Sequence, residues 1–300
     1  MKLATVVMED RKQVAVIDER ARVARAASKV FPSMPREAHY DMTAAIEALT
    51  SGHCQESACA DAVPIDSVRL LAPIPTPRRN VVCVGKNYHS HAREFSRSGF
   101  DANGGMQEIP EHPIVFTKAP GSVTGPGDDI PLVPGLDAAV DYEAELAIVI
   151  GKAGRFIPRD NAMRHVFGYT VLNDVTARDL QKTHKQWFLG KAIDGFCPTG
   201  PWIVTADELD PAQLRINCRV NGELRQDATT ADLIFDIPAI IETISRSLTL
   251  LPGDIIATGT PDGVGIGFNP PRFLKDGDVV ECSITGIGSI RNTVRRVTGV

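Results

Sequence analysis

Apolar residues recur along this chain in short runs broken by Gly, Pro, Asn and Asp, the spacing of strands joined by tight turns. Val14-Ala15-Val16-Ile17 follows the charged turn Glu9-Asp10-Arg11-Lys12 and predicts an opening hairpin. Residues 43–49 carry the spacing of a short amphipathic helix. Residues 51–62 are small and polar, and prolines punctuate 68–77, which predicts a connector. The chain is therefore expected to divide into a small N-terminal domain over 1–75 and a larger domain over 76–300.

In the larger part, 80–85 reads as a buried strand. The stretch 95–113, with Gly99, Gly104, Gly105 and Pro110, has the composition of a long loop, and loops of that length often act as lids. Asn221-Gly222 between two strand-like runs is a strong hairpin signal. The clearest helix is 237–250, stopped by Leu251-Pro252-Gly253-Asp254, and strands follow at 255–258 and 278–284. The expected class is mainly β, of α+β type, with few helices and no internal repeat.

One strand breaks the apolar pattern. Residues 141–151 read as a strand, yet Glu143 and Glu145 stand where apolar residues are wanted. Residues two apart share a strand face, and this face continues as Ala147 and Val149, toward a core. Buried carboxylates need a cation or donors. Asp174, in the strand-like run 170–176, is a third acid. Three carboxylates from two strands can converge on a hard divalent cation; the same spacing also fits a solvated face.

Other side chains could join them. If 88–95 is helical, His91 and Glu94 face together at i, i+3, and a carboxylate beside imidazole raises its basicity, as a general base requires. Arg178 and Gln181, also at i, i+3, could bind a carboxylate or carbonyl. Lys191 follows the apolar approach Trp187-Phe188-Leu189-Gly190, which could deliver an ammonium into a site. On spacing alone each pattern better fits a bland surface: an exposed helical His beside an incidental Glu, an Arg178–Asp179 surface region, and a surface Lys after an aromatic patch. The glycine-rich run 258–267 lacks the Gly-Lys-Ser/Thr end of a phosphate loop and reads as a tight loop near a ligand. There is no GxSxG elbow and no HExxH helix.

Composition narrows the class. The 300 residues are 43% hydrophobic and 23% charged, ordinary for a globular protein. A net charge of −5 argues against nucleic-acid or anionic-membrane partners. No apolar run reaches membrane-spanning length, and charges interrupt the N-terminus too early for a secretory signal, so a cytoplasmic location is expected. Of six cysteines, none forms a CxxC pair; Cys83, Cys197, Cys218 and Cys282 read as reduced core residues.

Taken together and in order, Gly85-Lys86-Asn87-Tyr88 with His91 and Glu94, 141–146, 173–181, 188–191 and Thr258-Gly259-Thr260-Pro261 resemble the fumarylacetoacetate hydrolase family over about residues 78–300. The resemblance implies a β-sandwich roll after a small N-terminal domain, a homodimer, and Mg2+ or Mn2+ (less readily Ca2+) held by Glu143, Glu145 and Asp174. It implies that His91, paired with Glu94, activates water. Lys191, Arg178, Gln181 and Thr260 match positions that contact substrate or stabilise negative charge. In the resemblance, fumarylacetoacetate hydrolase proper carries a fourth metal-binding aspartate seven residues before the catalytic histidine, where Val84 stands here; Glu94, three after the histidine, is instead typical of the acylpyruvase-like branch. The implied activity is hydrolysis of a C–C bond in a 2,4-dioxo acid, with the metal as Lewis acid and a pyruvate enolate leaving. Oxaloacetate decarboxylation and 2-hydroxyhepta-2,4-diene-1,7-dioate-type isomerisation are the nearest alternatives. A catalytically idle homo-oligomer that binds a small oxo acid is a further one.

Overall fold

The computed structural model describes residues 1–57, 61–100 and 109–298. Among them, strands gather into sheets of twelve and five, with a small two-stranded sheet beside them. The strands used below are β1 (Lys2–Met8), β2 (Arg11–Asp18), β3 (Val23–Ala26), β4 (Val81–Gly85), β5 (Ile114–Lys118), β6 (Ile130–Leu132) and β7 (Ala144–Ile150). They continue as β8 (Val166–Asn173), β9 (Cys197–Thr205), β10 (Arg215–Val220), β11 (Glu223–Thr229), β12 (Ile255–Ala257), β13 (Val279–Ile284) and β14 (Gly288–Arg296). Five helices bear on the site or its support: α1 (Met42–Thr50), α2 (His89–Arg97), α3 (Arg178–Thr183), α4 (Phe188–Lys191) and α5 (Ile237–Ser247).

The main path of the large sheet runs β3-β2-β1-β9-β8-β7-β12-β4-β5, and the second sheet runs β11-β10-β13-β14-β6. Strands of the first 75 residues join the large sheet through β1 beside β9. The connector lies along β1 too, with Leu70 opposite Val6.

Each face of the large sheet carries its own core. One packs Leu146, Ile148 and Ile150 of β7 with Ile216 and Val220 of β10, Val280 of β13 and the apolar stripe Ile237, Ile240, Ile241 and Ile244 of α5. The other packs Ala147 and Val149 with Leu3, Cys83, Leu172 and the α1 residues Ala45 and Ile46. β7 is thus buried on both faces. Burial of this kind stabilises by roughly 1.5–3 kcal/mol per large aliphatic side chain.

Turn chemistry accounts for the hairpins. Asn221 and Gly222 both adopt positive φ, as a two-residue turn between twisted strands demands, and β10 and β11 pair antiparallel across them. Glu9 and Asp10 do the same between β1 and β2. Asp41 caps α1 by accepting from Ala44 N–H.

Three expectations need correction. The helix α5 ends at Ser247, because Leu248 turns extended before the expected stop at 250. The start of the supposed loop 95–113 is helical to Arg97, and Phe100 packs edge-on against Phe273 at 6.2 Å; residues 101–108 of that stretch lie outside the described residues. The acidic strand is not continuous either. Val140–Asp141 pairs with Thr176–Ala177 in the small sheet, and β7 starts only at Ala144, so Glu143 sits at the break.

Candidate active site

That break is where the site forms. Ala144 at the start of β7 lies opposite Asn173 at the end of β8. Glu143 N–H donates to Asn173 Oδ1 at 3.0 Å, and Asp174 N–H donates to the Glu143 carbonyl at 2.8 Å. The two strand ends are thereby clamped. One oxygen from each of Glu143, Glu145 and Asp174 falls within 4.8 Å of the others. These residues are 4%, 1% and 0% exposed, which rules out a solvated face.

The three acids are not equivalent. Glu143 accepts from Arg178 Nη2 at 2.6 Å and Lys191 Nζ at 2.7 Å. Asp174 accepts from Lys118 Nζ at 2.5 Å and Lys191 Nζ at 2.7 Å. Glu145 Oε2 accepts instead from the Gly259 backbone N–H at 2.7 Å. Burial opposes ionisation of Glu143, but Lys191 and Arg178 beside it hold its carboxyl below the usual carboxylate range. Burial, then the neighbouring Asp174 and Glu143, push the Glu145 carboxyl well up.

Counting Asp141 with these acids, four buried carboxylates face three buried cations, Arg178, Lys118 and Lys191. Glu145 is the acid that pairs with none of these three cations. An all-oxygen, carboxylate donor set fits a hard divalent cation.

Arg178 and Gln181 do face together, bonded at 3.2 Å. The guanidinium also donates from Nε to Asp141 Oδ1 at 2.7 Å, so in this structure it braces the acidic segment. Thr260 is tied as well. Its hydroxyl donates to the Ala144 carbonyl at 2.9 Å and accepts from Gln226 Nε2 at 2.8 Å.

On α2, His91 Nδ1 meets Glu94 Oε2 at 3.1 Å. With Nδ1–H directed at the carboxylate, Nε2 is the basic nitrogen. The other Glu94 oxygen accepts from Gly263 N–H at 2.9 Å. Gly267 lies directly against it: a Cβ there would come 1.7 Å from Glu94 Oε1, so only glycine allows this approach.

The loop 258–267 therefore supports the site through its backbone. Gly259 donates to Glu145, Gly263 to Glu94, and Ile266 to Asp141 Oδ2 at 3.1 Å.

His91, Glu143, Glu145 and Lys191 open into one small cavity, which Arg178, Gln181 and Thr260 also line. Asp174 completes the acid cluster, and Glu94 stands behind His91. Val84 lines the cavity too. Its wall is aromatic: Phe95 and Trp187 have ring centroids 6.1 Å apart, Trp187 and Phe116 5.2 Å apart.

Sequence reasoning passed over Lys118, Gln226 and Lys86. Lys118 ends a strand whose neighbours are half-exposed, and nothing local marks it as buried. Gln226 stands in the polar run Leu224-Arg225-Gln226-Asp227, the pattern of an outer strand, yet it accepts from Ala144 N–H between the two glutamates.

Comparison with known proteins agrees with this arrangement. The family pattern described as "Fumarylacetoacetate (FAA) hydrolase C-terminal" matches residues 80–295. The chain is 51% identical over 231 residues to "Oxaloacetate tautomerase YisK" of Bacillus subtilis (strain 168), covering 77% of this chain and 74% of that one. Among solved structures it resembles a fumarylacetoacetate hydrolase from psychrophilic Exiguobacterium antarcticum, with TM-score 0.81, 41% identity and coverage of 99% and 100% of the two chains. It also resembles a 2-hydroxyhepta-2,4-diene-1,7-dioate isomerase from Mycobacterium marinum, with TM-score 0.75, 35% identity and full coverage of both chains (100% each).

Proposed function

Starting from the fact that the chain belongs to the fumarylacetoacetate hydrolase family, we propose that it interconverts the keto and enol forms of a small oxo acid of the oxaloacetate type. The observation that carries this reading is His91, backed by Glu94, opening beside the acid cluster into an aromatic-walled cavity. Tautomerisation needs one well-placed base and charge stabilisation, and the site offers both. The 51% identity to an oxaloacetate tautomerase favours it over hydrolysis.

Glu143, Glu145 and Asp174 would hold the ion, Mg2+ or Mn2+. A bound divalent ion supplies Lewis acidity toward the carboxylate and 2-oxo group of the substrate. His91 takes a proton from C3 at Nε2 and returns it to the C2 oxygen. Glu94 offsets the charge of the imidazolium in between. Lys191, already an ammonium under the pull of Asp174 and Glu143 despite its burial, offsets negative charge as it builds on oxygen. Acid–base help of this kind is typically worth ~10²–10⁴-fold in rate.

C–C hydrolysis of a 2,4-dioxo acid is the second reading. The half-buried Glu94 beside His91 favours it, since that pairing also suits removal of a proton from water. Hydroxide would add to the distal carbonyl, and the pyruvate enolate would leave. Decarboxylation of oxaloacetate needs neither the water nor the base.

NMR of the Mg2+-loaded protein with oxaloacetate and with an acylpyruvate separates the three. Keto–enol exchange faster than in buffer, lost in His91→Ala, supports the proposal. Exchange unaffected by His91→Ala removes the role given to His91, and cleavage of the acylpyruvate without exchange favours hydrolysis.

A further inference from the structure

The cavity is cationic at two separate places. At one, Lys191 Nζ reaches the acid cluster and lies 5.0 Å from the Phe116 ring centroid. At the other, Lys86 Nζ lies 4.9 Å from the Phe95 ring centroid. Trp187 stands between these rings, 5.2 Å from Phe116 and 6.1 Å from Phe95. The wall thus reads ammonium, three aromatic rings, ammonium. Adjacent ring planes stand at 70° and 60° to one another, so an apolar, edged wall separates two cationic ends, which suit a dianion with one charge at each end. Two like charges at one end alone would not.

Lys86 is built into place. It follows β4 and lines the cavity at 8% exposure. Its backbone is left-handed, with φ 53°, a conformation that glycine or asparagine adopts at less cost than lysine. The next residue fixes it: the Asn87 amide donates to the carbonyls of Phe235 at 2.9 Å and Thr258 at 2.7 Å, and accepts from Phe235 N–H at 2.8 Å. On the other side, Gly85 presses against Trp187, where a Cβ would come 2.4 Å from the indole. A costly backbone held rigid on both sides, with a long cationic side chain laid along the cavity wall, indicates that the side chain is wanted there.

We infer that Lys86 binds the second carboxylate of a dicarboxylic oxo acid and makes the site selective for diacids over monoacids. This rests on the oxo-acid reading above. The first carboxylate belongs at the Lys191 end, and the aromatic wall carries the carbon chain between them.

The test compares oxaloacetate with its 4-methyl ester, which lacks only the distal charge, in the Mg2+-loaded protein. Turnover is followed by keto–enol exchange. Binding is followed by calorimetry with 3,3-difluorooxaloacetate and its 4-methyl ester, which have no C3 proton and cannot tautomerise. The expected result is a preference for the diacid of about tenfold or more, in kcat/KM and in Kd, equal to about 1.4 kcal/mol or more. Lys86→Met should abolish the preference by weakening diacid binding alone, and Lys86→Arg should keep most of it. No preference in the unaltered protein, equal weakening of diacid and ester in Lys86→Met, or full loss in Lys86→Arg would overturn the inference. If exchange is never faster than in buffer while the binding preference and its loss remain, the tautomerase reading fails and the role of Lys86 stands.

Discussion

Glu143 and Glu145 are the same residue type, two apart in sequence, and equally buried, yet neutralising each should move the stability of the metal-free protein in opposite directions. Glu145→Gln removes a carboxylate that faces Asp174 and Glu143 and whose bonded donor is a backbone N–H. The folded-state pKa of Glu145 is raised above its reference of 4.5, so its contribution to stability is present below that value and lost as pH rises through the folded one. The gain from Glu145→Gln is therefore near zero at pH 4 and grows toward pH 8. Each unit of upward shift corresponds to about 1.4 kcal/mol, so the pH-dependent part of the gain reports the size of the shift. Glu143→Gln instead takes a counter-charge from Lys191 and Arg178, both buried. Breaking such pairs costs about 3–5 kcal/mol, and the bonds each cation keeps to Asp174 or Asp141 set the loss near the lower figure. At roughly 2–4 °C per kcal/mol for a chain approaching this size, both shifts are visible by calorimetry in EDTA. Adding Mg2+ to 100 times its Kd should stabilise the unaltered protein by about 2.7 kcal/mol and both variants far less. Shifts of the same sign in EDTA, or an unreduced Mg2+ effect in Glu145→Gln, would refute the unequal sharing of charge.

Gly267→Ala should push Glu94 off His91, lowering kcat about tenfold or more and altering the pH–rate profile while leaving the Mg2+-induced rise in Tm intact; an unchanged profile would show that Glu94 does not govern His91. Lys118→Met takes one of two cations from Asp174, so metal-free stability should fall by about 2–4 kcal/mol, and calorimetric titration should show a changed Mg2+ affinity. Ile148→Ala, in the core between the two sheets, should cost about 2–5 kcal/mol by urea unfolding, with Mg2+ binding unaffected below the transition.

Local rules make several elements legible in the amino-acid sequence. Asn221-Gly222 fixed a hairpin because its backbone conformation depends on those two residues alone. The i, i+3 spacing of His91 and Glu94, and of Arg178 and Gln181, predicted contacts that formed because each pair lies on one helix. The acidic strand was legible as an anomaly in an apolar face. Its break at Glu143 was not, because the break is imposed by Asn173 and Asp174 from another strand. Lys118 reaches Asp174 across 56 residues of sequence and Gln226 reaches Ala144 across 82. Sheet order brings them together, and no short-range pattern encodes sheet order. The end of α5 was misplaced because Leu248, a good helix former, is drawn extended toward Leu250, which pairs with Gly154.

The segment 258–267 holds its three acids by amide groups at positions 259, 263 and 266, not by side chains. Its content is therefore metrical. Outward-facing residues such as Asp262 can be exchanged with little effect, whereas deletion or insertion of a single residue between 259 and 266 would slip every donor past its acceptor at once. This stretch can therefore vary at Asp262 but not in length, and the glycines at 259, 263, 265 and 267 have no room for a Cβ, so the spacing from Gly259 to Gly267 is as much a sign of a working site as the acids it holds.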